Sequence, residues 1–159
     1  MFRSQTRNFR QYTSSDLLNM DFSDTEESNN LLSANPNYFS DLFRMSDGEM
    51  YAFTEGENVI YIAGFCKSLM NYRDVYLFSS NLMKHRFNLE ALKSLKGLME
   101  YARVDKNRHG CKARLQTGCK NIQKNKRFLE FLGFKQVCLM KQYGFNGEDM
   151  FLYSITEED

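Results

Sequence analysis

The 159-residue chain is 42% hydrophobic and 14% aromatic, with a formal net charge of +1 and a single proline. That composition suits a globular core and excludes a disordered or low-complexity chain. No apolar run approaches the roughly 20 residues of a membrane span, and "MFRSQTRNFRQYTSSD" lacks the apolar stretch of a secretory signal, so the expectation is a protein retained in the cell that makes it.

"RNFRQY" alternates like a short strand. "TSSDLLNM" then reads as a helix start, with Ser14 or Ser15 as N-cap and Asp16 in the first turn. Residues 23–37, rich in Ser and Asn and holding Pro36, read as a flexible insertion. In "NYFSDLFRM", Tyr38, Phe39, Leu42 and Phe43 recur at helical spacing. The period then changes. "EMYAFTEGENVIYIAGFCKSL" predicts a hairpin turning at Gly56, and "YRDVYLFSS" a third strand covered on both faces.

"FNLEALKSLKGLMEYARV", residues 87–104, is the clearest helix. Asn88 is its expected cap, and Leu89, Leu92, Leu95 and Leu98 or Met99 its expected buried stripe. A basic loop and a short strand, "CKARLQTG", lead to "NKRFLEFLGFKQV", a helix that stops at Gly133 and becomes a strand. Phe128, Phe131, Leu132 and Phe134 are the expected core there. The last hairpin carries Asn146-Gly147 in its turn. Strand, two helical pieces, three strands, helix, strand, helix and two strands make an α/β (α+β) chain in one domain, residues 1–159. Its central sheet is mixed, mainly antiparallel and flanked by helices.

Charge is distributed unevenly. From Asp16 to Glu57 ten acids face one base, Arg44, and from Arg103 to Arg127 nine Lys and Arg face one acid, Asp105. The basic segment is a candidate surface for nucleic acid or cofactor phosphates, against the plainer reading of a solvated rim paired with the acidic half. Cys66 and Cys138 lie in apolar strands and are expected to be buried free thiols. His109, Cys111 and Cys119 lack a fourth ligand and a zinc-site spacing, so no metal is expected.

Three stretches carry a family resemblance. "RQYTSSD" sets Arg10, Thr13 and Asp16 in an R-x-x-T-x-x-D pattern, "EGENVIYIAGF" brings a turn and strand to Gly64, and "RFLEFLGFKQV" closes a helix on Gly-Phe. With the element order, these resemble the GNAT (Gcn5-related N-acetyltransferase) superfamily. Within it, "EGENVIYIAG", "KHRFNLEALKSL" and "KNKRFLEFLGF…GEDMFLYSIT" are similar to the internal virion protein A family of short-tailed phages.

The resemblance implies an acetyl-CoA site along the fourth strand and at the start of the following helix. Val75, Leu77, Arg86, Asn88 and Ala91 are the residues that would hold the cofactor if it binds. Three departures stand against the chemistry. The glycine of the family's Q/R-x-x-G-x-G/A loop is Leu89, followed by the acidic Glu90. The tyrosine expected four residues before Gly133 is Leu129. The substitutes, Asp74 as base and Tyr143 as acid, are weak. The resemblance therefore implies a GNAT-like fold without acetyl transfer and without a required cofactor. Such a protein would act in the virion core or on host proteins, in the host cytoplasm or the virion. The alternative is an acetyl-CoA-dependent N-acetyltransferase with divergent motifs.

Overall fold

The structure, a computed structural model, describes residues 8–21, 37–45, 48–81, 89–104, 112–144 and 146–156. The insertion expected over 23–37, apart from Asn37, lies outside the described residues. So do Arg86, Asn88, His109, Cys111 and the side chains of Tyr38, Phe39 and Phe43.

The strands are β1 (Phe9–Gln11), β2 (Glu49–Glu55), β3 (Asn58–Lys67), β4 (Tyr72–Ser79), β5 (Arg114–Lys120), β6 (Lys135–Met140) and β7 (Met150–Ile155). The helices are α1 (Ser14–Leu18), α2 (Tyr38–Met45), α3 (Leu89–Arg103) and α4 (Gln123–Phe131). One seven-stranded sheet runs in the order β1-β2-β3-β4-β5-β7-β6. The pairs β1–β2, β2–β3, β5–β7 and β6–β7 are antiparallel, and β4–β5 is parallel. The expected mixed, mainly antiparallel sheet with flanking helices is what forms.

Contacts gather into two compact units. The first comprises residues up to Lys67 and Tyr76–Leu98, the second Ser68–Val75 and Met99–Asp159, so β4 and α3 contribute to both.

In the first unit both sheet faces are apolar, because β2 and β3 place large side chains at alternating positions on each. One face joins Leu17, Met20, Met50, Ala52, Ile62 and Cys66, with Leu42 of α2 and Tyr76 and Phe78 of β4 packed against them. The other is aromatic. Phe9 stacks on Tyr51 at 5.2 Å and Phe53 on Tyr61 at 5.3 Å between ring centroids. The Tyr61 hydroxyl donates to the Ala91 carbonyl of α3 at 3.2 Å, and burial pushes its pKa far above the phenol range. The α3 stripe begins one turn later than expected. Leu92, Leu95, Leu98 and Met99 are buried, but Leu89 is 59% exposed, because the stripe turns away from the first helical position.

In the second unit β5, β7 and α4 enclose Leu115, Leu129, Leu132, Phe134, Tyr153 and Ile155, all buried. The helix stop at Gly133 is a Schellman cap. With Gly133 at φ +96°, its N–H donates to the Glu130 carbonyl at 3.0 Å and the Phe134 N–H to Leu129 at 3.0 Å. Two expectations fail here. Cys138 is exposed, since β6 is the last strand of the sheet and lacks a neighbour on one side. Phe131 is 48% exposed at the last position of α4, and Phe128 is only half-buried.

Candidate functional site

The R-x-x-T-x-x-D residues converge in the first unit. Thr13, in extended conformation, is the N-cap of α1, not Ser14 or Ser15. Its backbone N–H donates to Asp16 Oδ2 at 2.7 Å, the reciprocal half of a capping box. Arg10 forks onto the same carboxylate, Nη1 to Oδ2 at 2.8 Å and Nη2 to Oδ1 at 2.6 Å. Burial pushes the Asp16 pKa up, but the hydrogen bonds from Arg10 and Thr13 outweigh it and hold the carboxyl below its usual range. The Arg10 fork ties β1 to α1 and the Thr13 bond caps α1, so the motif is a staple.

The positions expected to hold a cofactor fall on β4 and the start of α3. Val75 is buried and Leu77 half-buried. Ser80, which sequence reading passed over, is wholly buried at the end of β4. Its N–H donates to the Ile60 carbonyl at 2.9 Å, while its hydroxyl has no hydrogen-bond partner among the described residues. Nothing in the sequence marks it, because a serine after a strand is ordinary. In α3, Ala91 is buried, and the first turn turns the Leu89 side chain and the Glu90 carboxylate outward.

A helix start attracts anions through its unpaired N–H groups. The described residues of this first turn fit a pyrophosphate poorly, for they bring a carboxylate and an exposed leucine and no cation. Leu89, expected in the buried stripe, stands outside instead.

The proposed catalytic groups, Asp74 and Tyr143, both lie in the second unit. Asp74 is half-buried and accepts a hydrogen bond from Gln116 Nε2 at 2.9 Å. That bond braces the parallel ladder of β4 with β5, which runs from Tyr72↔Arg114 through Asp74↔Gln116. Beyond those pairs β4 continues to Ser79, and β5 stays laddered to β7 as far as Lys120. Tyr143 is 66% exposed in the loop after β6. Leu129 is 8% exposed, packed into the core, and offers no proton. The nearby Tyr153 is wholly buried, with its hydroxyl 3.3 Å from Gln136 Oε1 and its pKa raised by burial and then by Glu130 and Cys119.

The basic segment is partly consumed by structure. Arg103 is buried and donates to the Thr156 carbonyl at 2.6 Å. Lys120 pairs with Glu148 at 3.0 Å, and Lys126 sits 3.9 Å above the Phe151 ring. Lys112 pairs with Glu100 at 3.9 Å, so these acids belong to the second unit and not to the acidic segment. Cys119 is buried, which raises its thiol pKa, and its Sγ lies 3.2 Å from the Lys120 carbonyl. Among the described residues no three His, Cys, Asp or Glu gather to hold a metal.

Solved structures with this arrangement are GNAT acetyltransferases, which defines the class of fold. An acetyltransferase from Streptococcus agalactiae superposes with a TM-score of 0.69 at 16% identity, covering 95% of this chain and 99% of that one. A ribosomal L7/L12 alpha-N-protein acetyltransferase in complex with coenzyme A gives 0.65 at 14% identity, with 97% of each chain covered. The ribosomal-protein-S5-alanine acetyltransferase of Vibrio fischeri gives 0.62 at 14% identity, covering 98% and 97%. No protein-family model matches the sequence, and no curated protein matches it. The likeness therefore establishes a GNAT fold and leaves the activity to the residues.

Proposed function

We propose that this chain is a GNAT-fold protein that works by binding other macromolecules rather than by acetyl transfer. Following the sequence resemblance, its place is the internal core of a short-tailed phage particle or a contact with a host protein. The observation that carries the reading is Leu129. The position that would supply a proton to a departing thiolate holds a buried aliphatic side chain in the α4–β7 core. Asp74 is occupied by Gln116 and Tyr143 stands in solvent, so neither replaces it. Glu90 at the start of α3 adds a charge of the wrong sign for a nucleotide phosphate.

Isothermal titration of the full chain with acetyl-CoA and with CoA is expected to show no binding at high micromolar protein. Mass spectrometry after incubation with acetyl-CoA and cell lysate is expected to show no new acetylation. Saturable binding together with new acetylation would establish the alternative, an N-acetyltransferase with divergent residues. Binding without acetylation would leave a CoA-sensing protein and refute both the strict binding reading and the enzyme.

A further inference from the structure

The basic segment from Arg103 to Arg127 is spent unevenly. Arg103, Lys112, Lys120 and Lys126 are engaged inside the second unit, by Thr156, Glu100, Glu148 and the Phe151 ring. Lys124 and Arg127 are not. Both are exposed on α4, and among the described residues neither side chain has a hydrogen bond or an ion pair.

The two cations share a stripe with an aromatic ring. Residues three, four and seven apart lie above one another on a helix, so Lys124, Arg127 and Phe131 follow one line along α4. The opposite side of the helix holds Leu129 and Leu132, both buried. Phe131 is 48% exposed, so much of its ring stands in water beside the cations. The helix adds no counter-charge on this side. Its first turn carries no acid. Its one acid, Glu130, stands about 100° around the helix from Phe131, close enough to the buried Tyr153 to raise its pKa.

We propose that the outer face of α4 binds single-stranded nucleic acid, with Lys124 and Arg127 on phosphates and Phe131 stacked on a base. Charge complementarity selects a polyanion, since two exposed cations without a partner in the described chain face outward together. The ring selects among polyanions. One aromatic side chain gives little area to a protein partner, whose contact is built on a wider desolvated core. One ring is enough to stack one unpaired base. A duplex keeps its bases stacked inside and offers the ring nothing. This names a partner class for the binding reading above. The outer face of α4 takes no part in the cofactor argument, so the CoA titration and an oligonucleotide titration can fail independently.

The test is fluorescence anisotropy of a labelled single strand of about 12 nucleotides, as RNA and as DNA, titrated with the full chain. Saturable binding is expected, weakening as KCl rises from about 50 mM to about 200 mM. Lys124→Gln with Arg127→Gln is expected to reduce the slope of log affinity against log salt by about 1.4, for two phosphate contacts at about 0.7 each. Phe131→Leu is expected to lower affinity about tenfold at unchanged slope, and Phe131→Tyr to retain it. All three positions are exposed, so an unchanged thermal melt certifies each variant's fold. The proposal is overturned by no binding to either strand, by an unchanged slope in the double variant, or by undiminished binding of Phe131→Leu. It is also overturned if a duplex of the same length binds as tightly as the single strand. Tighter binding of a labelled polyglutamate peptide would overturn it too and make the partner an acidic protein segment.

Discussion

β3 and β6 look alike as sequences. "NVIYIAGFCK" and "KQVCLM" are both short apolar runs with a cysteine, bounded by lysine. In the structure they are opposites. Eight of the ten β3 residues are buried, whereas five of the six in β6 are exposed. β3 has hydrogen-bonded strands on both sides, while β6 is the last strand of the order. Its edge carries features that discourage further pairing: Lys135 at its start and a register irregularity between Gln136 and Cys138. An apolar strand sequence shows that a strand will form; how deeply it lies depends on its rank in the sheet.

The contrast can be broken most forcefully in the first unit. Phe53→Ala, at a fully buried ring stacked on Tyr61, is expected to cost about 3–5 kcal/mol in denaturant unfolding. Leu139→Ala on β6 is the matched control and should cost less than about 1 kcal/mol, since that side chain is 46% exposed. Equal costs would mean that β6 is covered in solution.

The next effect is electrostatic. Asp16→Ala removes the acceptor shared by Arg10 and Thr13 and is expected to cost about 2–3 kcal/mol, below the range for a fully buried pair because Arg10 is half in solvent. The pH dependence has a definite sign. The folded carboxyl titrates below its unfolded value, so its contribution is complete above about pH 4 and is lost as pH falls through the depressed folded value. Unfolding followed by circular dichroism at stepped pH should show this acid-side loss in the native protein and a shallower one in Asp16→Ala.

Gly133→Ala comes next. Its φ of +96° penalises any side chain, whereas the nearest atom to an added Cβ, Ile155 Cδ1 at 3.9 Å, is at ordinary contact distance. The expected cost is therefore conformational, about 1–2 kcal/mol in thermal unfolding. Smallest of all, Leu139→Thr should change stability by less than about 0.5 kcal/mol, for it trades one half-exposed strand former for another.

Element order was legible because each element announces itself locally. Alternation marked β2 and β3, apolar residues three and four apart marked α3, and Gly56, Gly133 and Gly147 all take the positive φ that their turns need. The misjudged positions share a cause. Leu89, Phe131 and Cys138 are apolar or sulfur-bearing residues at the ends or edges of elements, where periodicity no longer says whether a neighbour is present. Thr13 was displaced as N-cap because two adjacent serines offered the same chemistry. Ser80 could not have been found at all, since its significance is a buried hydroxyl without a partner among the described residues.

By itself, then, the amino-acid order determined the succession of strands and helices, the Arg10–Thr13–Asp16 pattern and the leucine at position 129, because these depend on residues close together in the chain. Only the tertiary structure decided that the R-x-x-T-x-x-D residues close on one carboxylate and that Asp74 is held by Gln116. It alone set β6 at the edge and left Phe131 exposed in line with Lys124 and Arg127. Those facts depend on which distant segments become neighbours, and the hydrogen bonds that settle it join residues as far apart as Asn71 and Lys112.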